Sequence, residues 1–251
     1  MERVAGDKES QFSPRRVFLS AEWRNLVMLN YEIDPDILRS RVPHGTEVDS
    51  FQGKTFVSLV GFQFLRTKLF GILPVPFHTD FEEVNLRFYV RRREGNEVRR
   101  GVVFIREIVP KRVVVQLARL IYGENYSYCP MRHDVRANGT RRTAEYQWKL
   151  NSNWCTLHAE AAGDAALPKE QSLEQFITEH YWGYVSRQGS CLEYRVSHEP
   201  WRVWTCATGS FEGNGEPLYG PELGGTLRRP PSSAFIADGS AVLVFAGRRI
   251  S

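Results

Sequence analysis

Lysines and cysteines are the side chains here that could attack an electrophile, and the chain uses both sparingly. Lys8, Lys54, Lys68, Lys111, Lys149 and Lys169 are the only lysines, against 27 arginines. Lys111 is followed by Arg112 at a change of hydrophobic period, which by itself reads as a solvated turn between a strand and a helix. Cys129, Cys155, Cys191 and Cys206 are dispersed with no CxxC pair, so reduced thiols are expected rather than a zinc site or a redox dithiol. His78, Asp80 and Glu82 alternate, and in an extended segment they would share a face able to ligate a hard or borderline metal. Pro74 and Pro76 argue instead for an irregular loop, from which His78 could still reach a cavity as a ligand contact. No metal and no cofactor are expected.

Other constellations point away from chemistry. Arg91–Arg93, Arg99 and Arg100 sit beside Glu94 and Glu97 without interleaved aromatics, so they suit a hairpin tip better than a nucleic-acid surface. The glycines from Gly209 to Gly225 lack a bracketing strand and helix and read as a flexible loop, and no GxSxG elbow is present. With 33 basic and 29 acidic residues the net charge of +4 demands neither nucleic acid nor membrane. No run approaches the roughly 18 apolar residues of a membrane span, and the polar opening lacks a signal-like apolar core, so a cytoplasmic location is the default.

These residues must be positioned by strands. Residues 1–16 are polar and aperiodic and are expected as a tail, with a single domain over 17–251. Asn25–Ile33 reads as a buried strand; Asp34-Pro35-Asp36 then caps a short helix through Val42, ended by Pro43. TFVSLVGFQFLRTKL, EEVNLRFYVRR and RRGVVFIREIV are strands, the last two forming a hairpin through Gly95-Asn96. Val113, Leu117, Leu120 and Ile121 recur at helical spacing. Asn138-Gly139 suits a type I′ turn, and a second turn falls within Asn151–Asn153. Ser172 and Gln175 form a capping-box pattern for a helix expected to end near Gly183. Tyr181, Trp182, Tyr184, Trp201 and Trp204 read by default as core packing, and on a helix Tyr181 and Tyr184 would make one aromatic ridge. LEYRVSHEPWRVWTCAT and SAVLVFAGRR supply the last strands.

Several long segments carry a resemblance. WRNLVMLNYEIDPDILRSRVPHGTEVD, PFHTDFEEVNLRFYVRR, RRGVVFIREIVPKR, HYWGYVS, EYRVSHEPWRVW and SAFIADGS occur in the order and form of the acetoacetate decarboxylase superfamily, and look like its uncharacterised YqjF-like branch. The resemblance implies an α+β, β-rich fold: a mostly antiparallel, closed β-barrel or cone with a few peripheral helices around an internal cavity for a small-molecule ligand. It also implies a homo-oligomer.

In the decarboxylase, a lysine after a GRE strand and a proline forms a Schiff base with a keto acid, and a neighbouring cation lowers its pKa. The match here is Arg106-Glu107-Ile-Val-Pro110-Lys111-Arg112, which makes Lys111 the nucleophile and Arg112 the cation that disfavours its protonation. By the same resemblance Glu83 is the catalytic partner, and Arg24, Arg106 and His78 bind substrate. Arg24 and Glu83 are equally readable as a structural ion pair. The interval before the lysine is two residues shorter than in the decarboxylase, and an acidic position is replaced by the apolar run Phe56–Val60. The sequence therefore points to an organic acid in a cavity, with either an altered lyase-like reaction or binding alone.

Overall fold

Long runs in which nearly every residue is apolar must be buried on both faces, and the first half of the chain folds that way. A computed structural model describes residues 16–74, 79–121, 123–187, 189–206 and 208–250. Its first strands are β1 (Val17–Ile33), β2 (Glu47–Val48), β3 (Thr55–Leu69), β4 (Leu73–Pro74), β5 (Phe81–Glu94) and β6 (Glu97–Val109). Helix α1 (Arg112–Ile121) follows, then β7 (Tyr126–Tyr128), β8 (Met131–Asn138), β9 (Arg141–Leu150) and β10 (Asn153–Ala161). Helix α2 (Leu173–Thr178) leads to β11 (Trp182–Arg187), β12 (Ser190–His198), β13 (Val203–Thr205) and β14 (Thr208–Glu212). Helices α3 (Glu216–Tyr219) and α4 (Pro221–Leu227) precede β15 (Ser233–Phe245) and β16 (Arg248–Ile250).

The larger sheet runs β13-β15-β1-β3-β5-β6-β11-β12-β16, and β12 also pairs with β15. The strands thus curl into a partial ring. It is thin at two joints: β6 meets β11 in parallel over two residue pairs, and β12 meets β15 over three. A second, four-stranded sheet, β14-β10-β9-β8, covers one outer face. The expected β-rich, mostly antiparallel architecture with peripheral helices is present.

Side-chain alternation sorts the strands between two cores. Val27, Leu29 and Tyr31 of β1 join Val57, Leu59, Val84, Leu86 and Phe88 in the core that includes Tyr146, Trp148 and Leu157 of the second sheet. Leu26 and Met28 point the other way, with Val60, Phe62, Phe64, Phe81 and Tyr89. Glu83, Asn85 and Arg87 are on that second face of β5, between Phe81 and Tyr89, and all three are buried.

Several expectations need correction. The short helix that follows β1 is a 3-10 helix, Pro35–Arg41, capped by the Asp34 carboxylate as foreseen. The β8–β9 hairpin pairs Asn138 with Arg141, so its turn residues are Gly139 (φ 58°) and Thr140, one position later than expected. Helix α2 is capped by Ser172, whose Oγ accepts from the Gln175 amide at 3.2 Å, but it stops at Thr178. Beyond it Trp182 and Gly183 pair with Gly101 and Val102, and all of β11 pairs with β12, so sheet pairing overrides the helical pattern. Tyr181 and Tyr184 therefore form no ridge: Tyr184 is buried in β11, while the Tyr181 ring packs on His198 at 4.9 Å. The glycine-rich stretch holds β14, α3 and α4 rather than a loop. The hairpin arginines are not simply a solvated tip either. Arg99 is buried and contacts the fully buried Glu193 at 3.1 Å, and Arg92 and Arg248 complete the network with Glu94. Against the opposing effect of partial burial, hydrogen bonds from Arg248 and Arg92 and the Arg99 charge hold the Glu94 carboxyl down at about 2.

Candidate functional site

The inner face of the partial ring lines a partly open cavity of about 150 Å³. Its walls are mainly apolar and aromatic, with Trp23, Phe62, Phe64, Phe104, Trp182 and Trp201 among them. Helix α1 closes one side through Val114, Leu117 and Ala118, residues that its turn places on one face. Into this apolar space project three carboxyl groups, Glu83, Glu107 and Glu124.

Each carboxyl is placed by its element. Glu83 lies on the inner face of β5 and Glu107 on the inner face of β6; the β5–β6 register sets Asn85 opposite Glu107. Glu124 follows α1 just before β7. The Tyr126 hydroxyl donates to Glu83 Oε2 at 2.9 Å, and Asn85 Nδ2 donates to Glu83 Oε1 at 3.0 Å. The Tyr194 hydroxyl donates to Glu124 Oε1 at 3.0 Å. All three carboxyls are almost wholly buried.

Burial disfavours charge on such groups, and like neighbours add to the effect. Burial pushes Glu83 up to about 7, opposed by the hydrogen bonds from Asn85 and Tyr126 and by the Arg87 charge. Burial, with the charge of Glu83, pushes Glu124 up to about 8 against the Tyr194 hydrogen bond. Glu107 is raised well above the carboxylate range by burial and by Glu124 and Glu83. Because each carboxyl's charge acts on its neighbours, the three titrate as coupled groups. Near neutral pH the cluster can both release and accept a proton, as general acid–base chemistry requires.

Arg87, Thr178, His180 and His198 supply a second polar region of the wall. The Arg87 guanidinium donates to the Ile177 carbonyl at 3.2 Å. The His180 ring packs at a tilt 4.7 Å from the Tyr89 ring, and burial with the nearby charges of Arg87 and Arg100 holds it well below the usual imidazole range, hence neutral.

The residues singled out from sequence are not brought together. Glu83 lines the cavity. Lys111 is half-buried between β6 and α1 and is not among the lining residues. None of the described lysines lines the cavity. Arg24 is half-buried on β1, bound to Glu22 and donating to the Gly239 carbonyl at 3.1 Å. Its ion pair is therefore with Glu22 and not with Glu83, which bonds to Asn85 and Tyr126 instead. Gly239 (φ 77°) is required there, because a Cβ would meet the Trp23 carbonyl oxygen at 1.9 Å. Arg106 points to the opposite face of β6 from Glu107, donating to the Leu218 carbonyl and Ser127 Oγ. His78 lies outside the described residues. Asp80 accepts from the Arg66 amide and Glu82 contacts His133 at 2.6 Å, so these two form no shared metal face. Among the described residues no group of three or more metal-ligating side chains is disposed around a common point. No described helix is long and apolar enough to cross a membrane.

Glu107, Glu124, Tyr126, Tyr194, Arg87 and His180 were not foreseen. Tyr194 depends on a glycine: Gly183 pairs with it across β11–β12, and a Cβ there would meet the Tyr194 ring at 2.1 Å. Gly183→Ala should displace the tyrosine from Glu124 and cost about 1–3 kcal/mol, as overpacking typically does. A urea titration checks the cost, and an unchanged midpoint would show that the ring yields freely.

Known proteins resemble the chain in both sequence and fold. The uncharacterized protein YqjF of Bacillus subtilis (strain 168) is 23% identical over 181 residues, 71% of this chain and 72% of that protein. The acetoacetate decarboxylase of Legionella pneumophila superposes with a TM-score of 0.62 at 13% identity, covering 99% of this chain and 98% of that one. The enduracididine biosynthesis enzyme MppR, solved with pyruvate, gives 0.64 at 14% identity, covering 97% and 93%. At these identities the two structural likenesses establish the fold alone. A match to the DUF2071 profile extends over residues 20–241, and the chain belongs to that family of uncharacterized conserved proteins.

Proposed function

We propose that the chain binds a compact organic acid in this cavity and exchanges protons with it through the Glu83–Tyr126–Glu107–Glu124 cluster, without a lysine Schiff base. The observation that carries the reading is the Glu83 carboxyl, buried in the cavity wall beside Glu107 and Glu124 and held by Tyr126 and Asn85, where burial pushes it up to about 7. A cavity that is apolar apart from a few convergent polar groups of perturbed pKa is the usual form of a small-molecule site. Pyruvate in the MppR structure supports a keto acid as the first class to try.

On a keto acid the chemistry would be enolisation. The ionised Glu83 takes a proton from the carbon beside the carbonyl, the C–H electron pair moves onto the carbonyl oxygen, and a protonated neighbour of the cluster donates a hydrogen bond to that oxygen. In D₂O the proton on Glu83 exchanges with solvent, and reversal then delivers a deuteron from Glu83 to carbon, so the ligand gains deuterium.

NMR of pyruvate and 2-oxobutanoate in D₂O tests this. Enzyme-dependent deuterium uptake is expected. Lys111→Ala should leave the rate within about twofold, and borohydride should trap no adduct on Lys111. A Lys111 adduct that disappears in the alanine variant would restore the Schiff-base lysine and sink the reading. Binding of either acid without any exchange would favour the second reading, a non-catalytic binding protein, which the absence of a described lysine from the cavity wall also suits.

A further inference from the structure

The cavity wall is lopsided in charge along a single strand. Glu83, Asn85 and Arg87 follow one another on the inner face of β5, so a carboxyl and a guanidinium are set into the same wall with their Cα atoms roughly 13 Å apart. Beside Glu83 stand Glu107 and Glu124; beside Arg87 stand Thr178 and His180. One end therefore collects carboxyls, the other a cation and neutral polar groups, and the rest of the wall is mainly apolar and aromatic.

Both ends contain buried polar atoms that the fold does not satisfy. Glu107 Oε2 and Asn85 Oδ1 have no hydrogen-bond partner among the described residues, and neither has Arg87 Nε. The His180 ring nitrogens likewise have no well-aligned partner. These side chains are more than nine-tenths buried and all of them line the cavity. Buried groups left in this condition cost stability unless something in the cavity pairs with them. The acceptors lie toward the acidic end and the arginine donor toward the other, so what pairs with them must differ between its two ends. The volume suits a molecule near the size of benzene, which fills an apolar cavity of about 150 Å³.

Resting on the proposed reading, we infer that the ligand is a compact zwitterion: its acidic group meets Arg87 and His180, and its basic group meets Glu83, Glu107 and Glu124. A monoanion with no second polar group would satisfy one end and leave the carboxyl end unpaired. A monocation would do the reverse.

Isothermal titration of the full chain with 6-aminohexanoate, hexanoate and hexylamine tests the inference, with 4-aminobutanoate as a shorter zwitterion. One of the two zwitterions is expected to bind at least tenfold more tightly than both singly charged compounds. Arg87→Gln should remove its advantage over hexylamine, and Glu107→Gln should narrow its advantage over hexanoate. Arg87→Lys, which keeps the charge, should retain part of the preference, and circular dichroism establishes that each variant folds. Equal binding of hexanoate and the zwitterions would overturn the inference and leave the organic-acid cavity standing. Failure of all four compounds would also overturn it, and the cavity reading falls with it only if pyruvate and 2-oxobutanoate fail as well.

Discussion

Glu83→Gln should lower the rate of deuterium uptake into a bound keto acid at least a hundredfold while changing its affinity by no more than about threefold. Glutamine keeps the shape of the side chain and can still accept the Tyr126 hydrogen bond, which is 2.9 Å long in the native chain. It cannot carry the proton. A positioned acid or base contributes roughly 10²–10⁴-fold, so loss of the proton carrier alone accounts for the effect. The variant should also be no less stable at neutral pH, because an amide escapes the cost of charging a buried carboxyl. Exchange at the native rate in Glu83→Gln would remove Glu83 from the chemistry and leave it a structural group.

The same cluster makes stability fall as pH rises. In the folded chain burial sets Glu83 at about 7 and Glu124 at about 8, and Glu107 is raised as well. An unfolded chain releases these protons near about 4.3, so between the two ranges the folded state holds more protons. The stabilisation is complete below the unfolded value and is lost as pH climbs through 7 and 8. At about 1.4 kcal/mol per tenfold in proton affinity, Glu83 alone represents on the order of 4 kcal/mol. For a chain of this size the melting temperature should drop on the order of 10 °C between about pH 5 and pH 9. Glu83→Gln combined with Glu124→Gln should flatten that slope. At the acid end Glu94 works in the opposite sense: its lowered pKa contributes stability that is complete above the unfolded value of about 4.3 and is lost as pH falls to about 2. A melting temperature that is level from about pH 5 to pH 9 would mean that the carboxyls are hydrated and ordinary.

Much of the fold was legible because period-2 patterns and turn residues are local. β5, β6 and their Gly95-Asn96 turn, the Asp34 and Ser172 caps, and α1 all lie close to where the patterns put them. The end of α2 was not legible, since the pairing of Trp182 and Gly183 with a strand about 80 residues earlier decides it. The site was harder still. In Glu83-Val-Asn-Leu-Arg87 the alternation is plain, but alternating polar residues usually face water. Only the ring of strands turns that polar face inward. Arg106-Glu107 shows the same ambiguity: adjacent residues point to opposite faces, and register chooses Glu107 for the cavity. Glu124 and Tyr194 are brought together across 70 residues of sequence by their hydrogen bond. Lys111 stood out through resemblance, and the structure puts it at the strand–helix junction rather than in the wall.

The most direct test of the carboxyl cluster is a carbon-detected NMR titration of the chain labelled at the glutamate carboxyl carbons. At least two glutamates should titrate between about pH 6 and pH 9, shifting together as coupled groups do, and Glu83→Gln should lower the apparent pKa of those that remain. If every glutamate carboxyl is ionised by about pH 5.5, there is no proton-bearing cluster in the cavity at neutral pH, and the acid–base account fails.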